Sequence, residues 1–206
     1  KQLARERNIP VSQVPVEKLN NLTKAQHQGV VAWTSLLTYI DLQDAISHVV
    51  DQGQVPLFVL LDGVTDVRNV GAIARSALCC GAQGLILPTS SSASLTEDAI
   101  KTSAGALRNI MLCRIPSVPQ AIDVLRLNGI QVLASQMKGS VPVYEADFTG
   151  PACIVMGAED TGISNDVKKR ADAFIRIPMV TSFDSLNVSV ATGMILYEAL
   201  RQRISL

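Results

Sequence analysis

The sequence predicts an α/β protein: a parallel sheet with helices on both faces. Three features carry this. Apolar runs such as Leu57-Phe58-Val59-Leu60-Leu61 are continuous, helical patterns separate one run from the next, and glycines close helical segments at Gly53, Gly81 and Gly129. Strands buried on both faces lack polar alternation, and parallel neighbours need a crossover between them.

The first helix opens on Asp41 as its cap and sets Leu42, Ala45, Ile46 and Val49 on one face before stopping at Gly53. Leu57 to Leu61 is the first buried strand. A helix from about Asn69 to Cys80 follows, closed by Gly81, and then the strand Gly84 to Leu87. The alternation repeats with a helix over Leu95 to Ser103 and a strand over Ile110 to Arg114. An amphipathic helix from Val118 to Asn128 leads through Gly129 into the strand Ile130 to Ser135. Cys153 to Met156 and Ala173 to Ile177 are the last two strands, and a long helix runs from about Ser185 to Arg203. Upstream, Gly29-Val30-Val31-Ala32-Trp33 reads as a strand with no partner nearby. The abrupt start, without an initiator methionine, sets the expectation of a domain upstream: residues 1–40 as its remnant with a linker, residues 41–206 as the main domain.

Composition excludes several classes. With 48% apolar and 17% charged residues the chain has the content for a buried core rather than disorder. No apolar run reaches the roughly 18 to 20 residues of a membrane span. The basic start Lys1-Gln2-Leu3-Ala4-Arg5 leads into polar residues, unlike a signal peptide. Cys79, Cys80, Cys113 and Cys153 form no C-x-x-C pair and lie far along the chain from His27 and His48, so no metal site is expected. Free thiols in apolar segments fit a reducing cytoplasm. Eighteen basic residues balance eighteen acidic ones, so RNA binding would need a local basic patch.

In an open parallel sheet ligands sit beyond the C-terminal strand ends, and three such ends are unusual. The first is Leu61-Asp62-Gly63-Val64-Thr65-Asp66-Val67-Arg68-Asn69-Val70-Gly71-Ala72-Ile73-Ala74-Arg75, where Asn69 and Arg68 face the strand ends and Gly71 permits close approach of a backbone or ligand. It also fits a plain Asn cap with a solvated arginine. The second is Met156-Gly157-Ala158-Glu159-Asp160-Thr161-Gly162-Ile163-Ser164, a buried strand entering a loop with two glycines and two acids. It suits a small-molecule cradle, or equally a strand-to-helix turn capped by Ser164. The third, Ile177-Pro178 onward, sets Ser185, Asn187 and Ser189 at or inside the start of the final helix. Asn and Ser are poor helix-interior residues, so they bond to something beyond their own backbone or serve as a cap packed on a neighbour. G-x-G-x-x-G, a P-loop and G-x-S-x-G are all missing from the sequence.

Together the three segments resemble the motifs of the SpoU (TrmH-like) family of SPOUT methyltransferases. The first resembles N-x-G-x-x-x-R at Asn69, Gly71 and Arg75. The second resembles M-G-x-E-x-x-G at Met156, Gly157, Glu159 and Gly162. The third resembles I-P followed by S-L-N-V-S-V-A, at Ile177-Pro178 and Ser185 to Ala191. The resemblance covers about Leu57 to Arg203. Asp62 to Asp66 and Tyr197 to Arg203 look most like the bacterial enzymes that methylate a guanosine ribose in large-subunit ribosomal RNA. His27 to Ala32 resembles the junction after their small N-terminal RNA-binding domain. Phe183-Asp184 departs from the small residues many relatives carry there.

The resemblance implies a C-terminal trefoil knot, a homodimer in the cytoplasm, S-adenosylmethionine as cofactor and RNA, most simply ribosomal RNA, as substrate. Arg75, Asn69, Glu159, Asn187 and Ser185 would be the catalytic group. Gly157, Ala158, Gly162, Ile177, Pro178, Leu186 and Val188 would hold the cofactor, chiefly by backbone, so that a side chain at Gly157 would block the ligand and spare the fold. An arginine with pKa above about 12 stays protonated, which suits Arg75 to charge stabilisation rather than proton removal. The dimer is expected on the final helix, through Val188, Ala191, Ile195 and Ala199, and the loop around Glu159, the alternative being that these four residues serve only the core. A transfer-RNA substrate, an inactive RNA-binding module and a nucleotide-dependent oxidoreductase are the competing readings.

Overall fold

The computed structural model describes residues 11–32, 37–89, 95, 97–138, 140–180 and 185–204. The chain forms two compact units, residues 1–35 and 36–206. In the first, α1 (Val16–Leu22) buries no side chain. A turn follows in which Gln28 and Gly29 take φ of 49° and 82°, and His27 Nδ1 accepts from Gly29 N at 3.0 Å. The strand expected at Gly29–Trp33 is not formed over the described residues Gly29–Ala32; Trp33 lies outside them.

The second unit is a seven-stranded sheet: β1 (Leu57–Asp62), β2 (Gly84–Pro88), β3 (Met111–Ile115), β4 (Gln131–Ser135), β5 (Val141–Pro142), β6 (Ala152–Gly157) and β7 (Ala173–Arg176). The spatial order is β3-β2-β1-β6-β4-β7-β5, and each pairing is parallel. The helices are α2 (Leu42–Asp51), α3 (Val67–Cys79), α4 (Glu97–Thr102), α5 (Val118–Leu127), α6 (Asn165–Arg170) and α7 (Val188–Ile204). Alternate residues of β1 enter opposite cores, which is why its apolar run is unbroken. Leu57, Val59 and Leu61 pack with Val70, Ile73 and Ala77 of α3 and Ile195 and Ala199 of α7. Phe58 and Leu60 pack with Ile46 and Val49 of α2 and Ile122 and Leu125 of α5.

Local chemistry sets the helix starts. Asp41 caps α2 by accepting from Gln43 N at 2.8 Å, and Ser117 caps α5. The start expected at Asn69 is wrong: α3 begins at Val67, because Asp66 Oδ1 accepts from Arg68 N at 2.8 Å. That leaves the Asn69 side chain free of capping. The final helix likewise begins at Val188, so Ser185 and Asn187 precede it. β5, two residues long, was not anticipated; α6 is the helix that Ser164 was read as able to cap, and Ser164 does cap it. Gly71 serves the close approach of a neighbouring backbone: a Cβ there would stand 2.7 Å from Ala99 O of α4.

The apolar face expected to pair two copies is consumed internally, as Val188, Ile195 and Ala199 are core residues and Ala191 packs against them. Beyond that core the end of α7 is latched to the segments that lead into β1 and β6. Arg203 donates from Nε to Phe148 O (2.9 Å), from Nη1 to Val55 O (2.9 Å), and from Nη2 to Pro56 O (3.1 Å) and Gly150 O (2.8 Å). Gln202 adds Phe148 N to Oε1 at 2.8 Å and Nε2 to Ala146 O at 2.9 Å. Losing a charged donor from half-buried carbonyls costs more than a surface pair. Arg203→Ala is expected to lower stability by about 2 to 4 kcal/mol, read as a shift of the urea midpoint; a shift near zero would show that the latch is dispensable.

Candidate active site

β1 and β2 run outward in one direction and β4 lies on the other side of β6, so the gap in chain order falls at β1, β6 and β4. Such a switch point opens a crevice at the C-terminal strand ends, and the three motif segments leave the sheet there. Asp62 and Gly157, the last residues of β1 and β6, stand side by side in register. The loop after Gly157 turns back tightly: Ala158 N donates to Gly162 O at 3.2 Å and Gly162 N to Ala158 O at 2.9 Å.

Glu159 lies at the tip of this loop. Its Oε1 accepts from Asn69 Nδ2 (3.1 Å), from Asn187 Nδ2 (2.5 Å) and from Val188 N (3.2 Å). Asn187 Nδ2 also donates to Asn69 Oδ1 at 3.1 Å. The other end of the Asn187 amide caps α7, its Oδ1 accepting from Ser189 N (3.0 Å), Ser189 Oγ (2.6 Å) and Val190 N (3.3 Å). With donors and acceptor both engaged, the Asn187 amide has one permitted orientation. The carboxylate also sits on the first amide of a 17-residue helix, where the helix dipole favours negative charge. Asn187 is thus at once the cap of α7 and a member of the Glu159 cluster.

Three of the five expected catalytic side chains, Asn69, Glu159 and Asn187, therefore meet directly. Arg75 does not join them. It is exposed on α3 and forms no hydrogen bond or ion pair with a described residue, whereas Arg68 on the same helix is held by Asp66 at 3.2 Å. That pairing holds the Asp66 carboxyl below its usual range and raises Arg68. Ser185 is exposed and also forms no hydrogen bond with a described residue.

The expected cofactor residues divide. Ile177 and Leu186 are half-buried, and their backbone groups bond to no described residue, so they fit a ligand recognised by main chain. Pro178 is exposed beside Ile177. Val188 differs, since its amide is spent on Glu159 and its side chain is buried. Ala158 and Gly162 bond to each other. At Gly157 the expectation of a tolerated side chain fails: a Cβ would lie 2.2 Å from Gly162 C and 2.3 Å from Ile163 N. The glycine is required by the protein's own loop. Residues 181–184, with Phe183 and Asp184, lie outside the described residues. Asp62 was singled out only as part of the family pattern, yet it is 5% exposed and its Oδ2 accepts from Ser164 N at 2.6 Å. A carboxylate directly after five apolar strand residues was the signal for it.

Among the described residues no group of His, Cys, Asp or Glu could hold a metal ion. Cys113 and Cys153 lie inside β3 and β6, where burial pushes the Cys113 thiol up to about 12 and Cys153 higher still.

A parallel sheet with polar side chains gathered at the C-terminal strand ends of its switch point has the layout of a ligand-binding α/β domain. Residues 56–197 match the SpoU rRNA Methylase family, and residues 1–40 match the family described as RNA 2′-O ribose methyltransferase substrate binding. The chain belongs to the SpoU rRNA methylase family. It is 37% identical over 202 residues to the 23S rRNA (guanosine-2′-O-)-methyltransferase RlmB of Pseudomonas syringae pv. tomato, covering 98% of this chain and 80% of that one. Among solved structures it is similar to the SpoU methyltransferase AviRb from Streptomyces viridochromogenes in complex with AdoMet. That likeness is 35% identical with a TM-score of 0.69, over 73% of this chain and 61% of AviRb. The TrmH/SpoU tRNA modifying enzyme of A. aeolicus is 32% identical with a TM-score of 0.68, over 79% of this chain and 83% of that one.

Because the clash at Gly157 is with backbone, Gly157→Ala is expected to destabilise by about 1 to 3 kcal/mol and to expose the 158–164 loop to protease. A variant as stable and as protease-resistant as the wild type would show that the loop can move aside at little cost.

Proposed function

We propose that this chain methylates the ribose 2′-hydroxyl of a guanosine in 23S ribosomal RNA, with S-adenosylmethionine as methyl donor. The observation that carries the reading is the Asn69–Glu159–Asn187 cluster, which joins α3, the 158–164 loop and the start of α7, with Arg75, an arginine with no described partner, on the same helix as Asn69. The name borne by the Pseudomonas syringae relative supports the choice of RNA.

When bound, the cofactor supplies a methyl group on a positively charged sulfur. The unengaged backbone of Ile177 and Leu186 fits its nucleoside, with Pro178, Ala158, Gly162 and Val188 shaping the walls and Gly157 allowing the loop to fold. Arg75 holds an RNA phosphate and stabilises the alkoxide that develops on the ribose; its own proton stays, and the hydroxyl proton leaves to water. Asn69, Glu159 and Asn187 fix the helix that carries Arg75, and Ser185 lines the same side. Displacement at the methyl carbon depends on alignment, which a rigid cluster provides.

Residues 1–40 are read as part of an RNA-binding domain with its linker and 41–206 as the catalytic domain, with the C-terminal part of the chain threaded into a trefoil knot. The protein is read as cytoplasmic; among the described residues no helix is long and apolar enough to cross a membrane. A homodimer is supported by a second apolar stripe on α7: Val190, Met194, Tyr197 and Ile204 are 47%, 46%, 64% and 69% exposed at helical spacing.

Arg75→Ala is expected to bind S-adenosylhomocysteine like wild type and to lose methyl transfer to protein-free 23S rRNA by about two to three orders of magnitude, with little rescue by Arg75→Lys. Near-normal turnover in the Ala variant would end this role for Arg75, and preferential methylation of transfer RNA would overturn the substrate. For the dimer, Met194→Glu combined with Tyr197→Glu should give the monomer mass by light scattering where the parent gives twice that mass; a monomeric parent would dispose of the interface.

A further inference from the structure

Three polar side chains are buried among the described residues: Asp62, Ser103 and Thr192. The two hydroxyls serve their own helical segments, Ser103 Oγ donating to Ile100 O at 2.8 Å and Thr192 Oγ1 to Val188 O at 2.6 Å. Asp62 is different in kind. It is a carboxylate held out of water, and its Oδ2 reaches a backbone amide 102 residues further along the chain. Burying a carboxylate is costly unless it is hydrogen-bonded, and packing alone would be met by an apolar residue.

The geometry points to Asp62 as a positioning residue that acts through Glu159, an inference that rests on the reading of Glu159, Asn69 and Asn187 given above. Asp62 lies beside Gly157 in register, and the missing Cβ of Gly157 lets the backbone of Gly162 and Ile163 pass over the end of β6. The loop thereby returns to the neighbouring strand, where Ser164 N meets Asp62. At its other end Glu159 meets Asn69. Both ends of the loop are thus tied to one stretch of chain, the end of β1 and the first turn of α3, which also carries Arg75. Ser164 Oγ caps α6 as well, accepting from Val167 N at 3.4 Å, so the loop cannot drift without uncapping that helix. Without the Asp62 anchor the loop keeps its internal Ala158–Gly162 bonds but loses its fixed base, and Glu159 loses its aim.

Asp62→Ala should speed hydrogen exchange at the Ser164 amide and lower kcat on protein-free 23S rRNA by about 10- to 100-fold, while Asp62→Asn, which keeps an acceptor oxygen, should restore most of the rate. Ser164→Pro removes the donor instead of the acceptor, and with it the α6 cap; its φ of −66° suits proline, and with Ser164→Ala, which loses only the cap, as its control it should reproduce the loss if Asp62→Ala does not fold. In a Glu159→Gln background, Asp62→Ala should add no further loss, because residues acting in series do not add. A purely structural role would lower the melting temperature and leave kcat intact in Asp62→Ala, and that result would overturn the inference, as would a kcat loss in Asp62→Ala that adds in full to that of Glu159→Gln. Wild-type turnover in Asp62→Ala beside a slow Glu159→Gln would sink the inference alone, whereas wild-type turnover in Glu159→Gln would sink the reading of Glu159 and the inference with it.

Discussion

Oε1 of Glu159 receives hydrogen bonds from the first turn of α3, from the residue ahead of α7 and from the first amide of α7. These donors lie 90, 28 and 29 residues away in the chain. No strand or helix brings them together by local geometry, so the carboxylate fixes how two helices and one loop stand relative to each other. Because Asn187 must also cap α7, turning its amide to release Glu159 would unmake the helix start. The cluster is therefore held in one arrangement although it is exposed.

The sheet was readable because its physics is local. A strand covered on both faces has to be apolar throughout, and β1 and β6 are; Asp41 and Ser117 are capping residues with amphipathic runs behind them. Misplacement came where two residues competed for one role. Asp66 and Asn69 are both good caps, and only the fold shows that Asp66 takes the amide and frees Asn69. β5 could not be seen, since two residues set no period. At the site the unusual polar residues were visible in the chain, but their pairing was not, because it joins segments about a hundred residues apart. Gly157 shows the limit most clearly: a glycine beside a loop invites a ligand, and only the path of residues 162 and 163 shows what fills the space.

The final helix carries two separate apolar sides. Val188, Ile195 and Ala199 lie in the core, while Val190, Met194 and Tyr197 are exposed. A pattern apolar on both sides marks a helix covered twice, and it leaves open which side meets the chain's own core. The expectation of an interface on the inner side failed for that reason alone. α7 also brings Asn187 to the site at one end and latches the sheet at the other.

The Arg203 latch bears on the order in which the protein can fold. Its partner Val55 lies 148 residues earlier, and the Asn69–Asn187 bond spans 118 residues. Contacts this distant must wait for the intervening chain to condense, because loop-closure entropy is lost before they form. The β1–β3 half can collect local contacts early, yet the amide–carboxylate cluster has no counterpart in any such partial structure. A chain in which only the β1–β3 half has formed therefore owns three of its seven strands and none of the hydrogen bonds of the Glu159 cluster, which is completed only once the residues ahead of α7 are in place.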